Sequence, residues 1–166
     1  MTRYSNSAKN SFLASISTAS IDLESDRLAA RCKFNFSYFE VQAPGKDFSD
    51  LENTTLVNLV NKLKEYGRES LEYWSTQPVG KSGTVFSIYG AFPSKSDFTH
   101  PRHVPHQAEW ARFRLDWATR LCGFTIPKGY NGRIHKGSGQ TFCSNTFYVV
   151  FFDPDHRFYR GSDKNK

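Results

Sequence analysis

Long apolar runs are missing from this 166-residue chain. The longest, Phe147-Tyr-Val-Val-Phe-Phe152, is far shorter than the ~20 residues a bilayer-spanning helix needs, so no membrane span is expected. The N-terminal stretch lacks the continuous apolar core of a secretion signal, because Ser and Thr interrupt Phe12-Leu13-Ala14 and Ile16. Cysteine is scarce as well. Cys32, Cys122 and Cys143 are odd in number and show no C-x-x-C spacing, which argues against a disulfide framework and points to reduced thiols in a cytoplasmic setting. Each sits in an apolar or strand-like context and reads as a small core residue. The paired carboxylates of a metal nuclease are not apparent. Gly80-Lys81-Ser82 resembles the end of a phosphate-binding P-loop, but Ser75 stands where the first glycine is required, so the match fails and no cofactor is expected.

What the chain does have is aromatic mass. Its 15 Phe, 8 Tyr and 3 Trp bury large areas each, and a chain of this length builds a core without disulfide or metal staples. Residues 1–30 are polar and serine-rich and read as an arm or cap, although Ile21 to Leu28 carries a short helical pattern; residues 31–166 read as a single domain. Alternation of Phe34, Phe36 and Tyr38 with polar neighbours predicts a strand that ends at Ala43-Pro44-Gly45. Ser49 and Glu52 form a capping-box signature, and the spacing of Leu56, Leu59, Val60 and Leu63 predicts a helix from about 50 into the low seventies, weakened at Gly67. Thr84 to Phe92 reads as a second strand with Phe86, Ile88 and Phe92 on one face. Trp110 to Trp117, Arg120 to Ile126 and Thr146 to Phe152 complete the set, the first two as a hairpin around Asp116-Trp-Ala-Thr119. The expected fold class is α+β: an antiparallel sheet with one or two helices on one face.

Charge is unevenly placed. Residues 1–99 hold 11 Lys plus Arg against 11 Asp plus Glu, whereas residues 100–166 hold 11 against 5, which accounts for the whole formal charge of +6. All five histidines lie in that basic third. A neutral scaffold followed by a basic segment suggests a footprint for a polyanion, RNA or DNA being the commonest; surface charge for solubility is the plain alternative. Pro101 and Pro105 push their neighbours toward extended geometry, which would spread His100, His103 and His106 in a stripe about 9 Å apart rather than a cage, too far apart to share one zinc ion.

In the strand that follows, Ala111, Phe113, Leu115 and Trp117 point one way by alternation, and Arg112, Arg114 and Asp116 the other. Two forked guanidiniums on one rigid face suit successive phosphate oxygens or the charge that develops on one phosphate; a solvated face with the arginines paired to Asp116 or Glu109 is the competing expectation. The buried strand 147–152 ends in Asp153-Pro-Asp-His-Arg-Phe-Tyr-Arg160. His156 and Tyr159 therefore stand at the rim of a sheet, either as an acid–base pair or as residues of a turn.

The stretch EWARFRLDWATRLCGF, the basic loop after it and TFYVVFFDPDHRFY together resemble the C-terminal half of the RelE and YoeB group of bacterial toxins over residues 110–159. That resemblance implies a small antiparallel-sheet protein with N-terminal helices, cleavage of mRNA in the ribosome, and inhibition by a protein antitoxin. It implies catalytic roles for Arg112 or Arg114, for Arg120, and for His156 or Tyr159. This chain departs from the group in its greater length, its 127–139 loop and its one clear helix. The expected catalytic set is Arg114, Arg120, His156 and Tyr159, with Arg102, Arg112, Lys128, Arg133, Lys136 and Arg157 as nucleic-acid contacts and no metal ligand. A metal-independent endoribonuclease, a nucleic-acid-binding protein without catalysis, and a structural or partner-binding protein remain as competing functions.

Overall fold

The computed structural model describes residues 6–16, 21 and 27–160. Helix α1 (Ser7–Ser15) is capped by the Asn6 side chain and buries none of its residues. Most of the helical pattern expected between Ile21 and Leu28 lies outside the described residues. Strand β1 (Lys33–Asn35) is followed by helices α2 (Asn53–Tyr66) and α3 (Leu71–Thr76), the short hairpin β2 (Pro78–Val79) and β3 (Gly83–Thr84), and strands β4 (Phe86–Gly90), β5 (Glu109–Arg114), β6 (Arg120–Thr125) and β7 (Thr146–Asp153). The main sheet runs β1-β7-β6-β5-β4. β4 to β7 form an antiparallel meander, and β1 joins β7 in parallel. The fold is α+β, with the sheet mixed rather than purely antiparallel. No helix among the described residues is long and apolar enough to cross a membrane.

The two helices cover one face. Leu59, Tyr66, Leu71 and Trp74 pack against Phe86, Ala111, Phe113, Leu121, Phe147, Val149 and Phe152, and full burial of such side chains contributes roughly 1.5–3 kcal/mol each. The other face carries Trp110, Cys122, Phe124, Val150 and Phe151 beneath Phe98, Val104 and Phe158, which come from irregular segments. β7 is therefore covered on both sides, as its unbroken apolar run suggests. A register shift between Cys122 and Gly123 gives β7 one extra residue, Val150. A Cβ at Gly123 would lie 2.0 Å from the Tyr148 carbonyl oxygen, so only glycine fits that crossing.

Several local expectations are corrected by hydrogen bonding. The long helix splits: Gly67 ends α2, its N–H bonding Leu63 O at 2.9 Å, and Ser70 Oγ then caps α3 through Tyr73 N at 3.0 Å. The capping box does not form, because Asp47 caps a short 3-10 turn through Ser49 N, and Glu52 starts α2 without a side-chain cap. The first strand stops at Asn35, since a turn closed by Phe39 N and Phe36 O at 3.0 Å carries Tyr38 onto the second face, edge-on to Phe124 and Tyr148. Phe86, Ile88 and Phe92, expected on one face, part: Phe86 is buried beneath the helices, Phe92 packs on the other side, and Ile88 is 47% exposed.

The thiols of Cys32 and Cys122 are buried. Burial pushes Cys32 up to about 11 and Cys122 well above its usual range, so both act as core residues and not as thiolates.

Candidate nucleic-acid interface

Antiparallel pairing of β5 with β6 sets Arg114 opposite Arg120 and Arg112 opposite Cys122, and β7 sets Asp153 opposite Arg120. Alternation then puts Arg112, Arg114 and Arg120 on the face away from the helices. Tyr66 secures the far side of this strand end, its hydroxyl donating to the Arg114 carbonyl.

The three guanidiniums are held differently. Arg112 donates from Nε to the Tyr89 hydroxyl at 3.3 Å and from Nη1 to Thr84 O at 2.8 Å. Arg114 donates from Nε to Asp116 O at 3.1 Å and reaches Val79 O at 3.5 Å. The β2–β3 hairpin thus leans on both, and Arg114 Nη1 and Arg112 Nη2 come within 3.5 and 3.9 Å of where a Gly83 Cβ would sit. Arg120 is 4% exposed and clasps the β5–β6 turn, donating to Asp116 O at 3.0 Å, Thr119 O at 2.9 Å and Trp117 O at 3.2 Å. Its Nε is buried without a partner.

Among the described residues, none of the three pairs with a carboxylate. Asp116, the expected partner, instead accepts from Ala118 N at 2.9 Å and Thr119 N at 2.8 Å. Those bonds outweigh the upward push of burial and hold its carboxyl below the usual range. Burial, followed by the charges of Arg112 and Arg114, makes the Arg120 guanidinium a weaker base than usual. Like charges gathered without a direct carboxylate partner favour an anion from outside.

The segment after β7 brings the remaining groups. Asp153, fully buried, accepts from the backbone N–H groups of Arg157 at 2.9 Å and Phe158 at 2.8 Å, which curls the chain back over the sheet. His156 sits in that curl with φ 57, the one positive φ at a non-glycine position among the described residues. Such strain at an exposed histidine is the kind retained at functional sites. Partial burial, then the Arg120 charge, with further help from Arg112 and Arg114, lowers the His156 pKa below 6.5 against the opposing pull of Asp153. The shift favours the neutral ring, the form able to accept a proton. Tyr159 stacks on Tyr89, with ring centroids 4.8 Å apart and planes 5° apart, and Tyr89 in turn meets Arg112.

The expected catalytic residues Arg114, Arg120, His156 and Tyr159 thus converge on one rim with Arg112, Arg120 acting to position the turn. The expected nucleic-acid contacts divide. Arg157 and Arg160 share Asp97 at 2.8 and 3.1 Å, pinning the curl. Lys128 pairs with Glu72 at 3.6 Å, Arg133 lies over the Tyr130 ring, and Lys136 is exposed in the same loop. These three follow the Thr125 end of β6, roughly 17 Å from Arg120 along the strand. Arg102 is exposed in a turn closed by Val104 N and Pro101 O.

That turn, with a second closed by Ala108 N and Pro105 O, replaces the extended histidine stripe. His100 packs edge-on to Phe92 and Trp110, while His103 stacks on Tyr38 and lies 3.5 Å from Glu40. Two residues of the site escape sequence reasoning. Tyr89 carries no local signal of its contact with Arg112. Trp117, placed by alternation on one face with Ala111 and Phe113, is 86% exposed; its place inside the Asp116–Thr119 turn is the available signal, because alternation stops where a turn begins.

No family model, curated protein or solved structure matches the chain.

Proposed function

We propose that this rim binds RNA and cleaves it without a metal ion. The observation that carries the reading is the cluster of Arg112, Arg114 and Arg120 on one face, with no carboxylate partner among the described residues, beside a histidine held neutral. Neutral His156 takes the proton of a 2′-hydroxyl, whose oxygen attacks the adjacent phosphorus. The bond from phosphorus to the 5′-oxygen breaks, and the Tyr159 hydroxyl supplies a proton to that leaving oxygen. Arg114 stabilises the charge on the pentavalent phosphorus, and Arg112 holds a flanking phosphate. The products are a 2′,3′-cyclic phosphate and a 5′-hydroxyl. Helices that precede an antiparallel meander also accord with what the toxin resemblance implies, so cleavage on the ribosome and an antitoxin partner belong to the same proposal.

The test is incubation of purified protein with RNA, with and without ribosomes and with EDTA throughout. Cleavage that survives EDTA is expected, and cleavage lost with stoichiometric zinc would overturn the mechanism. RNA bound but left intact in both settings would leave the rim as a binding face alone. Affinity should fall steeply with salt as phosphate neutralisation releases counterions; a dissociation constant unchanged between low and physiological salt would refute RNA binding here.

The pH profile follows from His156. A base must be deprotonated, so the rate should rise with pH with its midpoint below 6.5, the ordinary histidine value. Stability follows the same sign. The unfolded histidine binds its proton more readily than the folded one, so this group lowers stability as pH falls from 6.5 through the folded pKa. A rate whose midpoint lies above 6.5 would remove His156 as the base.

A further inference from the structure

The Asp116 carboxylate and the Arg120 clasp fix the β5–β6 turn at five backbone groups, and the side chain at its tip, Trp117, is left outside. Trp117 is 86% exposed and, among the described residues, its ring stacks on no other. A well-held turn thus presents an open indole face, a surface suited to stacking. Trp117 borders a cleft of about 410 Å³ whose walls include Arg114, Leu115, Val79 and Gly80. Two carboxylates also line it, beside Lys62 and Tyr66 of α2: Glu65 pairs with Lys62 at 2.8 Å, and Asp116 accepts from the Ala118 and Thr119 N–H groups. The cleft therefore joins an apolar wall and an unpaired aromatic ring to a guanidinium of the arginine cluster.

We infer that this cleft takes a nucleobase of single-stranded RNA, stacked on Trp117, next to the phosphate held by Arg114. The inference rests on the proposed RNA-binding role of the rim and adds the class of strand it accepts. Along β5 and its turn the order is Arg112, Arg114, Trp117, with the stacked Tyr89–Tyr159 pair at the Arg112 end. Aromatic platforms thus flank the cationic stretch at both ends, an arrangement that suits a strand with splayed bases. In a duplex the bases face each other and have no free face to offer the indole.

Intrinsic fluorescence isolates this residue, because the other two tryptophans, Trp74 and Trp110, are 8% and 2% exposed. Titration of the full chain with a non-cleavable 2′-deoxy single strand should quench the exposed-indole emission, and an abasic strand of equal charge should bind at least about fivefold more weakly. Trp117→Ala should remove the quenching and equalise the two strands, Trp117→Phe should keep the preference, and a duplex of the same sequence should bind the parent no better than the abasic strand. Salt-dependent binding by the parent with unchanged emission, or equal binding by Trp117→Ala, would overturn the base site and leave the arginine reading standing. Failure of the parent to bind any strand at low salt would overturn both.

Discussion

Replacing Arg114 with alanine will lower RNA cleavage at least about tenfold, equivalent to roughly 1.4 kcal/mol of transition-state stabilisation, and His156→Asn will do the same. The two substitutions separate chemistry from folding. Arg114 is only partly buried and contributes two backbone-directed hydrogen bonds, so its loss loosens the β2–β3 hairpin without opening a core cavity. Asparagine tolerates the left-handed backbone of His156 better than most residues, so this variant removes the base without adding strain. Both should melt within a few degrees of the parent. Arg114→Lys keeps the charge but loses the fork, and should recover only part of the rate. Arg112→Ala should act mainly on affinity, because Arg112 lies toward the Tyr89–Tyr159 platform. If Arg114→Ala and His156→Asn fold normally and cleave like the parent, the rim is not the active site. Arg120→Ala makes a poor probe: its guanidinium holds three turn carbonyls, and the variant would confuse a lost turn with lost chemistry.

The second large effect concerns the scaffold. Gly123→Ala should cost at least about 3 kcal/mol, the upper end of what overpacking costs, because the added Cβ would stand 2.0 Å from the Tyr148 carbonyl oxygen and 3.1 Å from the Phe147 ring. The obstacle is backbone in the neighbouring strand, which cannot step aside as a flexible side chain can. Gly129→Ala is the control, with nothing within 4 Å of its Cβ position, and should change stability by no more than about 0.5 kcal/mol. Urea unfolding measures both. A Gly123→Ala midpoint equal to the parent's, at unchanged m-value, would show that β6 and β7 do not cross as described. The bulge matters to the site as well as to the core, because it sets which β7 residue faces Cys122, and the register beyond it sets Asp153 opposite Arg120.

Strand alternation and turn chemistry are legible in the sequence. Arg112 and Arg114 share a face because the pleat has period two, and the β5–β6 hairpin closes at Asp116–Thr119 because Asp116 can bond the N–H groups two and three residues ahead. The buried β7 strand, followed at once by titratable residues, was equally plain. These are local properties, decided over a few residues of chain. Pairing, by contrast, depends on contacts between segments far apart in sequence. Parallel addition of β1 to β7, the splitting of the helix at Gly67, the turns that dispersed the three histidines, and the Tyr89–Arg112 contact across 23 residues all belong to that second kind. Charge shows the same division. Its excess after residue 99 is a matter of composition, but Lys128, Arg133 and Lys136 lie beyond the far end of β6 from Arg120, and Arg157 is held by Asp97. An antiparallel strand carries successive basic residues to opposite ends of a sheet, so only the folded chain decides which cations can meet one phosphate.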